Sequence, residues 1–277
     1  LAATGLAGML YALSQGPERG WVSSQVLITG IVGMILTAIM VIVELRIDQP
    51  MLTLRLYRDR MFRNSNMINT LSYASFAAFL FLLPQFLQTL LGYSALESGL
   101  TTFPQAVGVI LASQFVGKMY HTIGPRRLVA IGLLCVSLSN IPFMFVSLDV
   151  SQTTIRMLMF LRGISMAFAF VPLQAATYAN IAKSDTGRAS AIFSTQRQAS
   201  AAIGVALLAT LFHSRINHLS PGVEPSKGVS LQAFHFAFAG SIVISLMGAL
   251  FAALFIRDID AKPTMHPRPK KQDIAVA

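Results

Sequence analysis

Long uncharged runs separated by short polar breaks set the rhythm of this sequence. Residues 98–117 form twenty consecutive positions without a charge, and residues 128–148 form twenty-one. At ~1.5 Å per residue, each is long enough to cross the ~30 Å hydrocarbon core of a bilayer as an α-helix. Eight crossings are predicted. The first, residues 1–14, begins inside an apolar stretch at a Leu and is expected to be truncated. Gln15-Gly16-Pro17-Glu18-Arg19-Gly20-Trp21 then predicts a turn, with Trp21 suited to a membrane interface. The second crossing, residues 25–43, is followed by a break at Asp48-Gln49-Pro50. Residues 51–63 set Leu52, Leu56 and Tyr57 against Arg55, Arg58, Arg60 and Arg63, which predicts a short amphipathic segment lying on the membrane face. The third crossing falls within residues 64–96, kinked at Pro84 and turned at Gly92-Tyr93-Ser94. The fourth to seventh are residues 97–116, 128–148, 155–179 and 187–212. A polar loop at 214–230 precedes the eighth, residues 231–256, and a Pro- and Lys-rich tail from 258 to 277 is expected to be disordered.

Composition agrees with this pattern. Only 12% of the residues are charged and 54% are hydrophobic, whereas a soluble domain is about one quarter charged. The net charge of +10 raises nucleic acid as a partner, but the basic residues flank apolar runs and no soluble domain presents them to a groove. Of the 21 Lys and Arg, fifteen fall on one side of the alternating topology, four on the other, and Arg162 and Arg197 inside spans. The positive-inside rule places the fifteen, and with them the C-terminus, in the cytoplasm. The single Cys135 lies inside an apolar run, which leaves no disulfide and no cysteine metal site.

Polar groups inside spans are the candidates for function, because they are costly there. Arg197, about ten residues into the seventh crossing and followed by Gln198, sits near mid-depth and should face a cavity or a partner. Arg162 lies nearer the external end of its span and is expected to snorkel to the interface. Gln85, Gln105, Gln114 and Gln174, with Asn69 and Tyr73, are candidates to line a polar cavity; interhelical hydrogen bonding is the alternative for each. Ala199, Ala202, Ala206 and Ala209, with Gly204, read as close helix contacts. Glu97 is expected to cap the fourth helix. An enzyme is not indicated. The five His residues show no ligand spacing, Gly163-Ile164-Ser165-Met166-Ala167 lacks the last Gly of a hydrolase elbow, and no phosphate-binding Gly-rich loop is present.

The stretch Gly117-Lys118-Met119-Tyr120-His121-Thr122-Ile123-Gly124-Pro125-Arg126-Arg127 resembles the cytoplasmic signature loop of the major facilitator superfamily, in its second-half copy. Leu161-Arg162-Gly163-Ile164-Ser165 through Val171-Pro172-Leu173-Gln174-Ala175-Ala176 is similar to the matching span of the fourteen-helix drug:proton antiporters. So are Gly187-Arg188-Ala189-Ser190-Ala191, Arg197-Gln198 and Gly204-Val205-Ala206. Gln49-Pro50-Met51-Leu52 to Phe62, then Gly92-Tyr93-Ser94 and Gly99, extend the likeness over nearly all of the chain but the tail. It departs where His121 and Thr122 stand in place of the family's usual acid and frequent Arg, so no charge-pair latch is expected from this loop.

The resemblance implies an all-α membrane protein of eight transmembrane helices. Two linker helices (1–47) would be followed by a cytoplasmic amphipathic linker (48–65), a C-terminal six-helix bundle (66–257) and a basic cytoplasmic tail (258–277). The bundle would consist of two three-helix inverted repeats, rocking against a six-helix N-terminal half that is not part of the sequence, with substrate near the bilayer midplane. Gly117, Lys118, His121, Gly124, Arg126 and Arg127 would form a cytoplasmic gate, and Arg162, Pro172 and Arg188 would be structural or gating. The expected function is efflux of amphipathic drug-like molecules across the cell membrane, driven by the proton gradient without a bound cofactor. No carboxylate lies deep in a span, so the coupling acid is expected in the other half. The alternatives are export of one endogenous metabolite, lipid or siderophore, or a non-transporting receptor or scaffold.

Overall fold

The computed structural model of the chain describes residues 2–46 and 54–265, and among them there is no β-strand. Two helices, α1 (Ala2–Arg19) and α2 (Ser24–Arg46), pack as a hairpin. Then follow α3 (Arg60–Thr89), α4 (Ala95–Thr102), α5 (Pro104–Ile123), α6 (Pro125–Asn140), α7 (Gln152–Thr177), α8 (Thr186–Leu219), α9 (Lys227–Phe255) and a short α10 (Lys262–Met265). Among the described residues, seven stretches are long and apolar enough to cross a membrane, with α4 and α5 together making one of them. α1 is not among the seven: its final turns carry Ser14, Gln15, Glu18 and Arg19. That is one fewer than the eight expected from the apolar runs.

Helix ends differ from the apolar runs in one consistent way. Backbone hydrogen bonding continues into the polar flanks, because a helix needs no hydrocarbon around it to keep its i to i−4 bonds. α1 continues through Pro17 to Arg19, and the turn is Gly20, with φ 87°. α3 starts at Arg60, four residues before the uncharged run, and takes in the end of the expected amphipathic segment; only Leu54–Arg58 stands apart, as a 3-10 turn. Asp59 fixes that start by accepting from the backbone N–H of Phe62 at 2.7 Å. The expected break at Asp48-Gln49-Pro50 lies outside the described residues. α8 runs to Leu219 and α9 begins at Lys227, so the polar loop shrinks to residues 220–226. The fourth crossing is divided at Phe103, since Pro104 brings no N–H and opens α5. Glu97 acts as its position predicts, closing a capping box with Ser94 at the start of α4. Part of the tail expected to be disordered is ordered: Asp258–Ala261 is a 3-10 turn leading into α10. Residues 266–277 are outside the described part.

The triplet α3, α4–α5, α6 and the triplet α7, α8, α9 pack with an internal symmetry. Between the triplets, the most extensive contacts pair α3 with α8 and α5 with α7, two pairs that interchange when the triplets are swapped. α6 with α7 and α3 with α9 interchange likewise, while α6 with α9 maps onto itself. Three of these contacts depend on glycine, and on Gly132 of α6 a Cβ would lie 2.4 Å from the backbone nitrogen of Ala169 on α7. A Cβ on Gly204 of α8 would lie 2.1 Å from the carbonyl oxygen of Ala74 on α3. A Cβ on Gly163 of α7 would lie 2.1 Å from the carbonyl oxygen of Gln105 on α5. Elsewhere the interior is filled by aromatic rings, with Phe79 5.0 Å from Phe143 and 5.4 Å from Phe238. Outward, α9 exposes Val243, Leu246, Met247, Leu250 and Leu254, an apolar band that lipid would cover.

Candidate functional site

α3, α5, α7 and α8 present one concave, mixed face. At its centre Tyr73 of α3 meets Phe170 of α7 edge to face at 4.8 Å and Phe193 of α8 at 6.2 Å, while Phe76 lies 6.0 Å from Phe170. The guanidinium of Arg197 stands 5.6 Å from the centre of the Tyr73 ring, close enough for a cation–π attraction, and the side chain is exposed. A cleft of about 180 Å³ opens beside the rings, lined by Tyr73, Phe76, Val109, Met166 and Phe170 among others. Gln174 is exposed on α7, two residues beyond the buried Pro172.

The candidate amides do not gather here. Gln85 and Gln198 line a different cavity of about 650 Å³, shared with Leu10 and Leu13 of α1 and with Phe212 and His213. Trp21 ties the hairpin to that side by donating from Nε1 to Thr210 Oγ1 at 3.1 Å. Asn69 is buried and donates to Thr177 Oγ1 at 3.2 Å, joining α3 to α7. Gln114 is exposed on α5.

Arg162 is where the structure corrects the sequence reading most. It does not snorkel: its relative exposure is 0%. Its side chain turns into the bundle instead, toward partners on α5 and α6. Its Nε donates to Asn140 Oδ1 and its Nη1 to Gln105 Oε1, both at 2.9 Å, and its guanidinium stacks 3.8 Å from the Phe79 ring centre. Nη2 is buried without a hydrogen-bond partner. One cation thereby links α3, α5, α6 and α7, and no carboxylate accompanies it among its contacts.

Two of the residues in these networks were not singled out by sequence. Asn140 sits at the end of α6 and is fully buried beneath Arg162. Gln196 donates from Nε2 to the carbonyl oxygen of Asn66 at 2.7 Å and to Thr70 Oγ1 at 2.6 Å, and accepts from the Tyr57 hydroxyl at 2.7 Å. Burial raises the pKa of Tyr57, which keeps that hydroxyl a donor. A polar residue in each helix was visible, but the rotation that turns Gln196 inward and Arg197 outward was not.

The signature stretch is not a loop. Gly117, Lys118 and His121 belong to α5, and the turn is Gly124 alone, with φ 84°. Asp258 supplies the acid that the stretch itself lacks. Its Oδ1 accepts from the Arg126 backbone N–H at 2.9 Å, capping α6 from the chain that follows α9. Arg126 Nε donates to the Ala253 carbonyl at 2.8 Å. His121 Nδ1 lies 2.7 Å from the Met265 carbonyl oxygen, so that nitrogen carries a proton, and Tyr120 shares a 2.8 Å hydrogen bond with Thr264. Arg127 is exposed, and Arg188 pairs with Asp185 at 3.3 Å. Replacing Asp258 by Ala leaves the Arg126 N–H without its acceptor, a loss of about 0.5–2 kcal/mol for a helix cap. The expected outcome is faster tryptic cleavage after Arg126 and Arg127 in detergent-solubilised protein, with cleavage elsewhere unchanged.

Seven apolar membrane-length helices, a buried cation held by amides and a concave aromatic face define a polytopic helical membrane protein. The chain belongs to the Major Facilitator Superfamily, whose family model matches residues 1–205 and 65–275. It is 32% identical over 240 residues to the "Multidrug resistance protein B homolog" of Mycobacterium tuberculosis (strain ATCC 25618 / H37Rv), covering 83% of this chain and 43% of that protein. It is 28% identical over 262 residues to the "Lincomycin resistance protein LmrB" of Listeria innocua serovar 6a, covering 93% and 55%. A third relative, the "Uncharacterized MFS-type transporter YhcA" of Bacillus subtilis (strain 168), is 32% identical over 215 residues, covering 78% and 40%. The chain thus spans about half the length of the curated relatives it matches.

Proposed function

We propose that this chain is the C-terminal portion of a secondary-active exporter of amphipathic, drug-like molecules, working by alternating access and driven by the proton gradient. The observation that carries this reading is the concave face of α3, α5, α7 and α8, where the exposed Arg197 stands over the partly buried rings of Tyr73, Phe76 and Phe170 beside a cleft. Such a face suits substrate held against a second six-helix half, and relatives named for multidrug and lincomycin resistance support the choice of drug-like cargo. In this reading residues 1–47 are a linker hairpin and residues 66–257 the six-helix half. The turn at Gly124 and the Asp258 clasp face the cytoplasm, with the C-terminus, at the cell membrane. The proton-coupling carboxylate belongs to the partner half, since α3, α5, α7 and α8 contain no Asp or Glu.

The test is drug susceptibility and dye accumulation in cells with and without the intact transporter that carries this chain, in the presence and absence of an uncoupler. Lower accumulation that the uncoupler abolishes is expected. Accumulation that does not change on deletion would remove the drug reading, and uncoupler-insensitive efflux would remove proton coupling.

A further inference from the structure

The rings around Tyr73 and the guanidinium of Arg197 form a site with a definite charge preference. The four helices that build the concave face carry no carboxylate along their whole length. Two guanidinium groups stand on or behind it: Arg197, exposed, and Arg162, which is buried behind Gln105 with Nη2 unpartnered. Among the described residues the only ion pair is Arg188 with Asp185, so no described carboxylate pairs with either cation. An arginine at membrane depth is costly, and a ligand anion would offset that cost by charge-assisted, bidentate hydrogen bonds. The rings supply the second requirement. Tyr73, Phe170 and Phe193 meet edge to face at 4.8 and 6.2 Å, and the cleft of about 180 Å³ beside Tyr73 and Phe76 has room for part of a flat aromatic group. Its walls are aromatic and aliphatic, with Val109 and Met166 completing them.

We propose that this cluster is the half-site for an aromatic ring system bearing a carboxylate or similar anion, its ring in the cleft beside Tyr73 and Phe76 and its charge on Arg197. The proposal rests on the exporter reading for its physiological sense and names the substrate class of that same face. A neutral relative keeps the ring contacts and loses the ion contact. A cationic relative is repelled by both guanidinium groups.

Three ligands that share one ring and differ in charge test it: 2-naphthoate, 2-naphthamide and 2-naphthylmethylammonium. Radiolabelled binding to the purified intact transporter in lipid nanodiscs reads affinity without requiring transport. Naphthoate is expected to bind about tenfold or more tightly than the amide, the size of one charged hydrogen bond, and the ammonium weakest. Arg197→Gln should remove the preference for the anion, Arg197→Lys should keep most of it, and Tyr73→Leu should weaken all three ligands alike. Equal affinity for the three ligands, no binding of any of them, or an anion preference that survives Arg197→Gln overturns the proposal. Retained naphthoate binding with no uptake into energised everted vesicles would count against the exporter reading and leave the site standing.

Discussion

Gly163→Leu is expected to leave no folded protein in the membrane. The hydrogen that Gly163 presents to α5 occupies the place where any Cβ would sit 2.1 Å from the Gln105 carbonyl oxygen and 2.9 Å from its carbon. Ordinary carbon–oxygen contacts are about 3.3–3.6 Å, so even alanine must push the helices apart by about 1 Å. Both clashing atoms are backbone and belong to long helices, so no side chain can swing aside. Overpacking of a tight core typically costs about 1–3 kcal/mol, and here the movement also strains the 2.9 Å bond from Arg162 to Gln105 one residue away. Gly163→Ala should therefore lower the melting temperature in detergent, and Gly163→Leu should abolish the monodisperse peak in fluorescence-detected size exclusion. Gly99, whose Cβ would meet nothing within 4 Å, is the control: Gly99→Ala should be silent.

Arg162→Ala is expected to have the second largest effect. It strands Asn140 Oδ1 and Gln105 Oε1, two buried acceptors, at about 1–3 kcal/mol each, and removes a desolvated cation–π contact worth about 2 kcal/mol. Removing the charge itself relieves a burial cost of several kcal/mol, so the net loss should be of the order of 3 kcal/mol rather than the full sum. Arg162→Lys should not restore stability, because a single ammonium lacks the planar fork that reaches Asn140 and Gln105 while lying on Phe79. Thermal unfolding in detergent decides between these outcomes. Wild-type stability in Arg162→Ala would mean that the relief of buried charge outweighs the network.

The sequence displayed the helices well, because a lipid-spanning segment must be long and apolar to exist at all. It displayed helix ends poorly. The amphipathic start at Arg60, the polar end of α8 and the signature stretch at Gly117 all continue as helix past the last apolar residue, where composition no longer requires it. Single-turn features with a local cause were legible: Ser94 with Glu97 close a capping box, and Gly92 turns with φ 71°. The buried network was not. Arg162 takes its partners from α5 and α6, 57 and 22 residues away, and no local pattern encodes such pairings. Snorkelling was expected from its distance to the span end, which does not reveal that those distant partners draw the side chain inward. The acid at the Gly124 turn was missed because Asp258 lies 132 residues from Arg126. The candidate amides were recognised as costly polar groups, yet each helix turns them toward different neighbours: Gln105 to Arg162, Asn69 to Thr177, Gln85 and Gln198 to the cavity beside α1.

The central claim is that α3, α5, α7 and α8 turn one wettable face toward a substrate path while α6 and α9 turn theirs to lipid. The most direct measurement is labelling of single cysteines by a membrane-impermeant methanethiosulfonate, in the intact transporter with Cys135 replaced by Ala. Cysteines at Tyr73, Gln174 and Arg197 are predicted to react, with rates that change when substrate is added. Cysteines at Leu134 and Leu250, which are 43% and 57% exposed on the opposite faces, are predicted to stay unreactive until the membrane is dissolved. Labelling at Leu134 and Leu250 with silence at Tyr73, Gln174 and Arg197 would contradict the account.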